Sequence, residues 1–462
     1  MIERLASDSR RCAPGVAFLA YPGEAADGRA HIDDALRRGA AAVLWEQAEF
    51  AWRAEWRVPN VAVRGLKQRA GELAAEFHGH PSESLWVCGV TGTNGKTSCS
   101  QWIAAALGRR GRRTGIIGTL GAGFSGTLAA VPNTTPDAIE VQRLLKEMLQ
   151  QGADSVSMEV SSHGLAQGRL NGVAFDCALL TNLSHDHLDY HRTMEAYGEA
   201  KARLFDTPGL GFAVLNLDDA FGAQLARRVT GKGPRTIGYG FPDAPLVAAD
   251  EYLPARLLAP EYALRLGRFN IANVLGVVGC LRASGIELKE ALALVADLPP
   301  VPGRMERIAD RPLVVVDYAH TPDALEKVLQ ALRPIAQERR GKLVVMFGAG
   351  GERDAAKRPL MGAVAARLAD RVLLTSDNPR GEDPLAIISQ IARGTAGRHE
   401  VEADRARAIE KIIAQAASSD VVLLAGKGHE DYQETGGRRR PFSDAAAARQ
   451  ALAKRAPGER RE

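Results

Sequence analysis

Thr91-Gly92-Thr93-Asn94-Gly95-Lys96-Thr97-Ser98 combines a glycine-rich turn with a lysine and hydroxyls, the residue types that cradle a phosphate chain. Gly92 and Gly95 let backbone N–H groups approach phosphate oxygens, Lys96 brings a mobile positive charge, and the Thr97 hydroxyl is suited to magnesium. The ordinary phosphate-loop pattern needs glycine at position 90, where this chain has Val90. A nucleoside triphosphate is the natural guest; hydrolysis, transfer and ligation remain open on this stretch alone. Met158-Glu159-Val160-Ser161-Ser162-His163-Gly164 adds a carboxylate and hydroxyls, and His185-Asp186-His187-Leu188-Asp189-Tyr190-His191 crowds three histidines and two aspartates together. Such a loop suits a metal ion. Magnesium is favoured because a triphosphate site needs an oxygen-seeking cation; zinc and a purely hydrogen-bonded polar loop are the alternatives.

Each stretch must be carried by an element that ends beside it. Leu85-Trp86-Val87 reads as a short buried strand and 101–107 as a helix, which places the glycine turn at a helix N-terminus, where anions collect. Strand-like runs at 115–117, 155–160, Cys177–Leu180 and Phe212–Asn216 alternate with helical patterns such as 139–148. This predicts a mostly parallel sheet covered by helices, with ligands at the C-terminal edge of its strands. A second series, 313–316, Leu343–Phe347, 372–374 and 421–424, predicts a second α/β unit. Leu298-Pro299-Pro300-Val301-Pro302-Gly303-Arg304 has linker composition, and His78-Gly79-His80-Pro81 closes a smaller first unit. The expected domains are 1–82, 83–302 and 303–462.

Composition narrows the class. A chain of 462 residues exceeds what one core usually supports, and a net charge of +4 gives no basic stripe for a nucleic-acid motor. The runs Arg109-Arg110-Gly111-Arg112-Arg113 and Arg438-Arg439-Arg440 read as solvated charge. Five cysteines without paired spacing favour a reducing cytoplasm over a disulfide framework. The start Met-Ile-Glu-Arg-Leu-Ala lacks a signal-peptide core, and no apolar stretch of about eighteen residues offers a membrane span. A cytoplasmic protein without membrane insertion is expected, with no nucleic-acid partner.

The motifs together resemble those of the Mur ligases, ATP-dependent amide-forming enzymes that build the peptide stem of bacterial cell-wall precursors. The phosphate loop matches, as do Asn133-Thr134-Thr135-Pro136, Glu159-Val160-Ser161-Ser162-His163, Asn182-Leu183-Ser184-His185-Asp186-His187, Asn270-Ile271-Ala272-Asn273, Gly303-Arg304-Met305-Glu306 and Asp317-Tyr318-Ala319-His320-Thr321-Pro322. Asp377-Asn378-Pro379-Arg380 and Gly426-Lys427-Gly428-His429-Glu430 look like the branch that adds meso-2,6-diaminopimelate to UDP-MurNAc-L-Ala-D-Glu. The resemblance implies an α/β fold of three domains, with a central phosphate-loop ATPase domain and a C-terminal Rossmann-like domain; separately, a monomer is expected. A lysine-adding Mur ligase and a folylpolyglutamate-type synthetase are the enzyme alternatives; a regulatory protein that binds nucleotide without turnover is the alternative from another class.

The resemblance also implies roles. Lys96, Glu159, His187, Lys201 and Arg304 would be catalytic, and Thr97, Glu159, His187 and Lys201 would hold Mg2+, with Lys201 as a carbamate. Gly92, Thr93, Asn94, Gly95, Lys96, Thr97, Ser98, Asn270 and Asp317 would bind ATP. The UDP-MurNAc-peptide would lie on Ser7, Ser9, Glu24, Ala25, Ala26, Asn133, Thr134, Thr135, Ser161, Gln167 and Arg169. Arg353, Asp377, Asn378, Pro379, Arg380, Gly426 and Glu430 would hold meso-diaminopimelate. A site shared among three domains is expected to close over an acyl phosphate, which water would otherwise destroy.

Overall fold

The structure, a computed structural model, describes every residue except Ala25, Leu246, Ala259 and 456–462, with only the backbone of 260–266. Three main sheets follow one another along the chain. In the first, Arg4–Ala6, Val16–Ala20, Ala42–Glu46 and Asn60–Val63 pair in chain order, all parallel.

The second sheet runs Glu251–Pro254, Arg235–Gly240, Phe212–Asn216, Cys177–Leu180, Trp86–Thr91, Ser155–Glu159, Thr114–Gly118 and Gly121–Phe124 across its width. Only the last pairing is antiparallel. Trp86–Thr91 is central and almost wholly buried, as expected of an apolar strand covered on both faces. Its register sets Val90 opposite Glu159 and Thr91 opposite Leu180, so the chain leaves the sheet between Glu159 and Thr181. One face packs against Ala138–Gln150, whose apolar residues Val141, Leu144, Leu145 and Met148 are buried and whose N-terminus is capped by Asp137. The other face packs under Lys96–Arg109 and the long helix Pro260–Ala283, which breaks its helical geometry at Gly267.

The third sheet has the order Glu306–Asp310, Leu313–Asp317, Val421–Ala425, Leu343–Phe347, Arg371–Leu374, Glu400–Val401, again parallel except at its first edge. Helix Pro322–Glu338 starts with the Thr321 hydroxyl accepting from the Ala324 N–H and proline at its first position. A hairpin, Tyr432–Thr435 with Arg438–Pro441, extends beyond it.

The expected strands recur within a residue or two at their ends, except that the one read at 85–87 runs on to Thr91, and the expected helix at 101–107 begins earlier, at Lys96. Val90 completes the buried strand rather than opening the loop, which explains why glycine is not needed there. The stretch expected as a linker also packs: Val301 is buried in the core of the second unit before the chain enters the third. The basic runs are partly paired, Arg110 with Glu290 at 2.5 Å, Arg112 with Asp154 at 3.1 Å and Arg439 with Glu434 at 3.2 Å. All five cysteines are free and buried, behaving as small apolar side chains. Among the described residues no helix is long and apolar enough to cross a membrane.

Candidate functional site

One cavity of about 880 Å³ opens between the second and third units at the C-terminal edges of their sheets. The phosphate loop forms its floor. Gly92 has a φ of +142°, and a Cβ there would lie 1.9 Å from the Thr181 hydroxyl, so only glycine fits this crossing. The Lys96 ammonium donates to the carbonyls of Gly92 at 2.8 Å and Thr93 at 2.9 Å, and burial lowers its pKa. Lys96 is thus folded back on its own loop, within reach of whatever the loop binds.

Glu159 closes the loop on one side. Its carboxylate accepts from the Thr97 hydroxyl at 3.0 Å, from the Thr119 N–H at 2.8 Å and from the Thr119 hydroxyl at 3.1 Å. Arg304 arrives from the start of the third unit, stacks over Tyr318 and donates to the Thr97 hydroxyl at 3.0 Å. Asp317 accepts from the N–H groups of Met305 at 2.7 Å and Ala319 at 2.8 Å, thereby shaping the turn that carries Arg304.

Lys201 is buried, 4.4 Å from the Tyr197 ring, and its amine donates to the same Gly92 carbonyl at 2.9 Å. Burial, reinforced by neighbouring Lys96, pushes its pKa well below the usual lysine value. An uncharged amine can act as a nucleophile toward carbon dioxide, whereas an ammonium cannot. His187 occupies a left-handed turn beside Asp186, and burial takes its pKa down to about 3, leaving a neutral imidazole. Burial alone would raise Asp186, but His187, His320 and Lys357 hold it below the usual carboxylate range.

The third unit supplies the opposite wall. Asn378 donates to Glu430 at 2.8 Å, and the buried Lys427 ammonium donates to Asn378 at 3.0 Å and to Glu430 at 2.9 Å. Arg380 is held at a φ of +52°, its N–H on the Glu434 carbonyl and one guanidinium N–H on the Gly351 carbonyl at 2.6 Å. Gly426 is conformationally required, since a Cβ would lie 2.5 Å from the Asp377 carboxylate. Contacts across the units join the walls. Asp323 accepts from the Asn94 side chain at 3.0 Å and the Ser184 hydroxyl at 3.1 Å, while His185 meets Asp354 at 2.9 Å.

The cavity is lined by Thr93 to Ser98, Asn133, Thr134, Thr135, Glu159, Ser161, Arg169, His187, Lys201, Asn270, Arg304, Asp317, Arg353, Asp377, Asn378, Arg380, Gly426 and Glu430. Gly92, Gln167 and Pro379 are not in its lining. Gly92 acts through its carbonyl, and Gln167 accepts both N–H groups of an Arg169 whose third bond goes to the Thr135 carbonyl at 2.7 Å. The first-unit residues Ser7, Ser9, Glu24 and Ala26 also stand apart from the cavity. Ser7 bonds Tyr21, Ser9 is buried, Glu24 pairs with Lys67 at 2.7 Å, and the Ala26 carbonyl accepts from Gly23. Ala25 lies outside the described residues. Sequence reasoning missed Thr119, Asp323 and Lys427 as site-builders. Thr119 directly follows a strand end, a detectable position; Lys427 sits inside a recognised motif; only the fold brings Asp323 to Asn94.

Three family models match in succession: Mur ligase family, catalytic domain, over 1–78; Mur ligase middle domain over 90–281; and Mur ligase, glutamate ligase domain, over 303–428. The UDP-N-acetylmuramoyl-L-alanyl-D-glutamate--2,6-diaminopimelate ligase of Chromobacterium violaceum is 51% identical, the match covering 98% of this chain and 94% of that protein. The protein of the same name from Pseudomonas aeruginosa is 51% identical over 98% of this chain and 95% of its own. A solved structure of a ligase with this name superposes with a TM-score of 0.65 at 36% identity, covering 98% of this chain and 95% of that one. A bifunctional folylpolyglutamate synthase/dihydrofolate synthase shares the fold at a TM-score of 0.60 and 21% identity, covering 79% of this chain and 91% of that one. With family models along its length and such relatives across nearly all of it, this chain belongs to the Mur ligase family.

Proposed function

We propose that this chain uses ATP to join meso-2,6-diaminopimelate to the D-glutamate of UDP-MurNAc-L-Ala-D-Glu, forming a peptidoglycan precursor. The observation that carries the reading, beside the names of its relatives, is that one cavity is lined by both the phosphate loop and Arg380 with Asn378 and Glu430. A ligase of this kind must bring phosphoryl donor, carboxylate and amine together.

The D-glutamate side-chain carboxylate attacks the γ-phosphorus of ATP, ADP departs, and an acyl phosphate results. The diaminopimelate amine then attacks the acyl carbon and phosphate leaves as the amide forms. Alignment and charge neutralisation are the protein's main contributions. Lys96 turns from its loop carbonyls to the transferring phosphoryl group, and Arg304, already on Thr97, adds a second positive charge. Thr135 and Arg169, tied to each other, hold the acceptor peptide, with Asn133, Thr134 and Ser161 beside them. The uridine end would extend along the first unit toward Ser7, Ser9 and Glu24; that unit is joined to the second by a shared core of Leu19, Leu66 and Ile139. Asn270 faces the nucleotide base, and Asp317 fixes the adjoining turn.

Magnesium fits this wall: Thr97 and Glu159 present hard oxygen donors 3.0 Å apart, and His187 offers a neutral nitrogen. Bound there, the ion would neutralise phosphate charge. The buried Lys201 amine, converted by carbon dioxide to a carbamate with release of a proton, would add an anionic oxygen donor. Lys201→Ala is therefore expected to be inactive and partly rescued by short carboxylic acids, read as phosphate release. Full activity without an additive would remove Lys201 from the site.

Asp323 ties the third unit to the phosphate loop, and hydrogen bonds to a charged group are worth about 1.5–3 kcal/mol. Asp323→Ala is expected to lower kcat about tenfold or more while the melting temperature stays near that of the parent protein. An unchanged kcat would show that this contact has no part in assembling the site.

The whole reading is tested by asking whether phosphate release from ATP requires both UDP-MurNAc-L-Ala-D-Glu and meso-diaminopimelate. Release independent of the peptide precursor would instead favour a different nucleotide-binding activity.

A further inference from the structure

Arg405 is wholly buried in the third unit, outside the lining of the cavity, yet it reaches both loops of the proposed diaminopimelate pocket. Its Nε and Nη2 form a fork on the equally buried Asp444 carboxylate, at 2.8 and 2.6 Å. Two further bonds leave this ion pair: Nη1 donates to the Ser376 carbonyl at 3.2 Å, and Nη2 to the Ala425 carbonyl at 2.9 Å. Nη1 also lies 4.0 Å from the Asp377 carboxylate.

Ser376 opens the loop that carries Asp377, Asn378 and Arg380, and Ala425 precedes Gly426, Lys427 and Glu430. The strands feeding these loops, Arg371–Leu374 and Val421–Ala425, are not neighbours. Leu343–Phe347 lies between them. Their ladder bonds therefore do not join the loops directly; on the cavity side the loops are tied by Asn378 with Lys427 and Glu430, and on the buried side one planar guanidinium spans the gap from beneath. The gap is tight, because the Asp377 carboxylate fills the space that a side chain on residue 426 would need.

We infer that Arg405, oriented by Asp444, is a positioning residue for amino-acid selection that sets the separation of the two pocket walls. The inference rests on the reading of this cavity as a diaminopimelate ligase site. Packing alone does not call for this pair: a buried ion pair is a weak source of stability, and apolar side chains of similar volume often replace one without loss. Only a forked donor can hold two carbonyls and a carboxylate in one plane. Lysine, with a single point of charge, reproduces part of this arrangement.

The test compares the parent protein, Arg405→Lys and the double variant Arg405→Met/Asp444→Leu in assays of phosphate release with ATP, UDP-MurNAc-L-Ala-D-Glu and meso-diaminopimelate. Diaminopimelate-dependent turnover by the parent protein tests the underlying reading separately, so failure there is distinct from failure of this inference. With melting temperature monitored, the double variant is expected to raise KM for meso-diaminopimelate about tenfold or more, leaving KM for ATP and the nucleotide precursor within about twofold. Arg405→Lys is expected to fall between. A stable double variant whose KM for meso-diaminopimelate stays within about twofold of the parent value would overturn the inference. So would equal losses for all three substrates accompanied by a lowered melting temperature. If the double variant does not fold, Arg405→Lys decides by the same readouts: a selective rise in KM for meso-diaminopimelate supports the inference, and no selective rise overturns it.

Discussion

Lys96→Ala is expected to yield a folded protein that releases no phosphate above background when given all three substrates. The Lys96 ammonium is half-buried and satisfied by two carbonyls of its own loop, so no distant element depends on it. Helix Lys96–Arg109 is anchored instead by buried residues such as Ile103, Ala106 and Leu107. Removing preorganised charge at a transferring group typically costs a factor of about a hundred to a thousand. Lys201, on the same Gly92 carbonyl, is no substitute, because burial disfavours its charged form and the proposed carbamate would make it an anion. Circular dichroism and a thermal melt check the fold; near-normal phosphate release by a folded variant would exclude this loop as the phosphoryl site.

The second large effect is on selectivity. meso-Diaminopimelate differs from lysine by a carboxylate on the distal carbon, and a guanidinium meets a carboxylate through two parallel hydrogen bonds. Arg380 lines the cavity with one N–H already on the Gly351 carbonyl and its backbone fixed against the hairpin, so the fork is held before substrate arrives. Lysine would leave it unpaired in a closed site. Such polar mismatches are penalised far more than a missing methylene, and discrimination of roughly a thousandfold or more is expected. Arg353 would take the other carboxylate, with Asn378, Gly426 and Glu430 around the ammonium. Arg380→Ala should lose most activity with meso-diaminopimelate and narrow the gap to lysine. An unchanged preference would place the determinant of selectivity elsewhere.

Local features were legible in the sequence because local rules produce them. The phosphate loop declares itself through glycine, lysine and threonine at a strand-to-helix turn, and the paired parallel strands through short apolar runs. Glu159 is likewise legible, because it ends a buried strand at the sheet edge. What stayed hidden depends on pairing between distant segments. Nothing near Asp323 announces Asn94, and nothing near Arg405 announces that Ser376 and Ala425 converge on it. Thr119 lies between these cases: its place after a strand was readable, but its two bonds to Glu159 require the register of Thr114–Gly118 beside Ser155–Glu159. The first-unit residues show the converse. Ser7, Ser9 and Glu24 are assigned by family position, Ser7 standing where the family pattern has an apolar residue, and their contacts lie within their own unit, so their part in substrate binding stands as a proposal.

Amide formation between UDP-MurNAc-L-Ala-D-Glu and meso-diaminopimelate, driven by ATP, is the reaction proposed for this cavity. The most direct measurement offers the purified protein ATP, magnesium, the nucleotide precursor and a panel of amino acids, and identifies the products by mass spectrometry. The expected result is a product whose mass equals precursor plus meso-diaminopimelate less one water, formed in step with phosphate release, with lysine incorporated far more slowly. Preferential incorporation of lysine, or phosphate release without any amide product, would contradict the account.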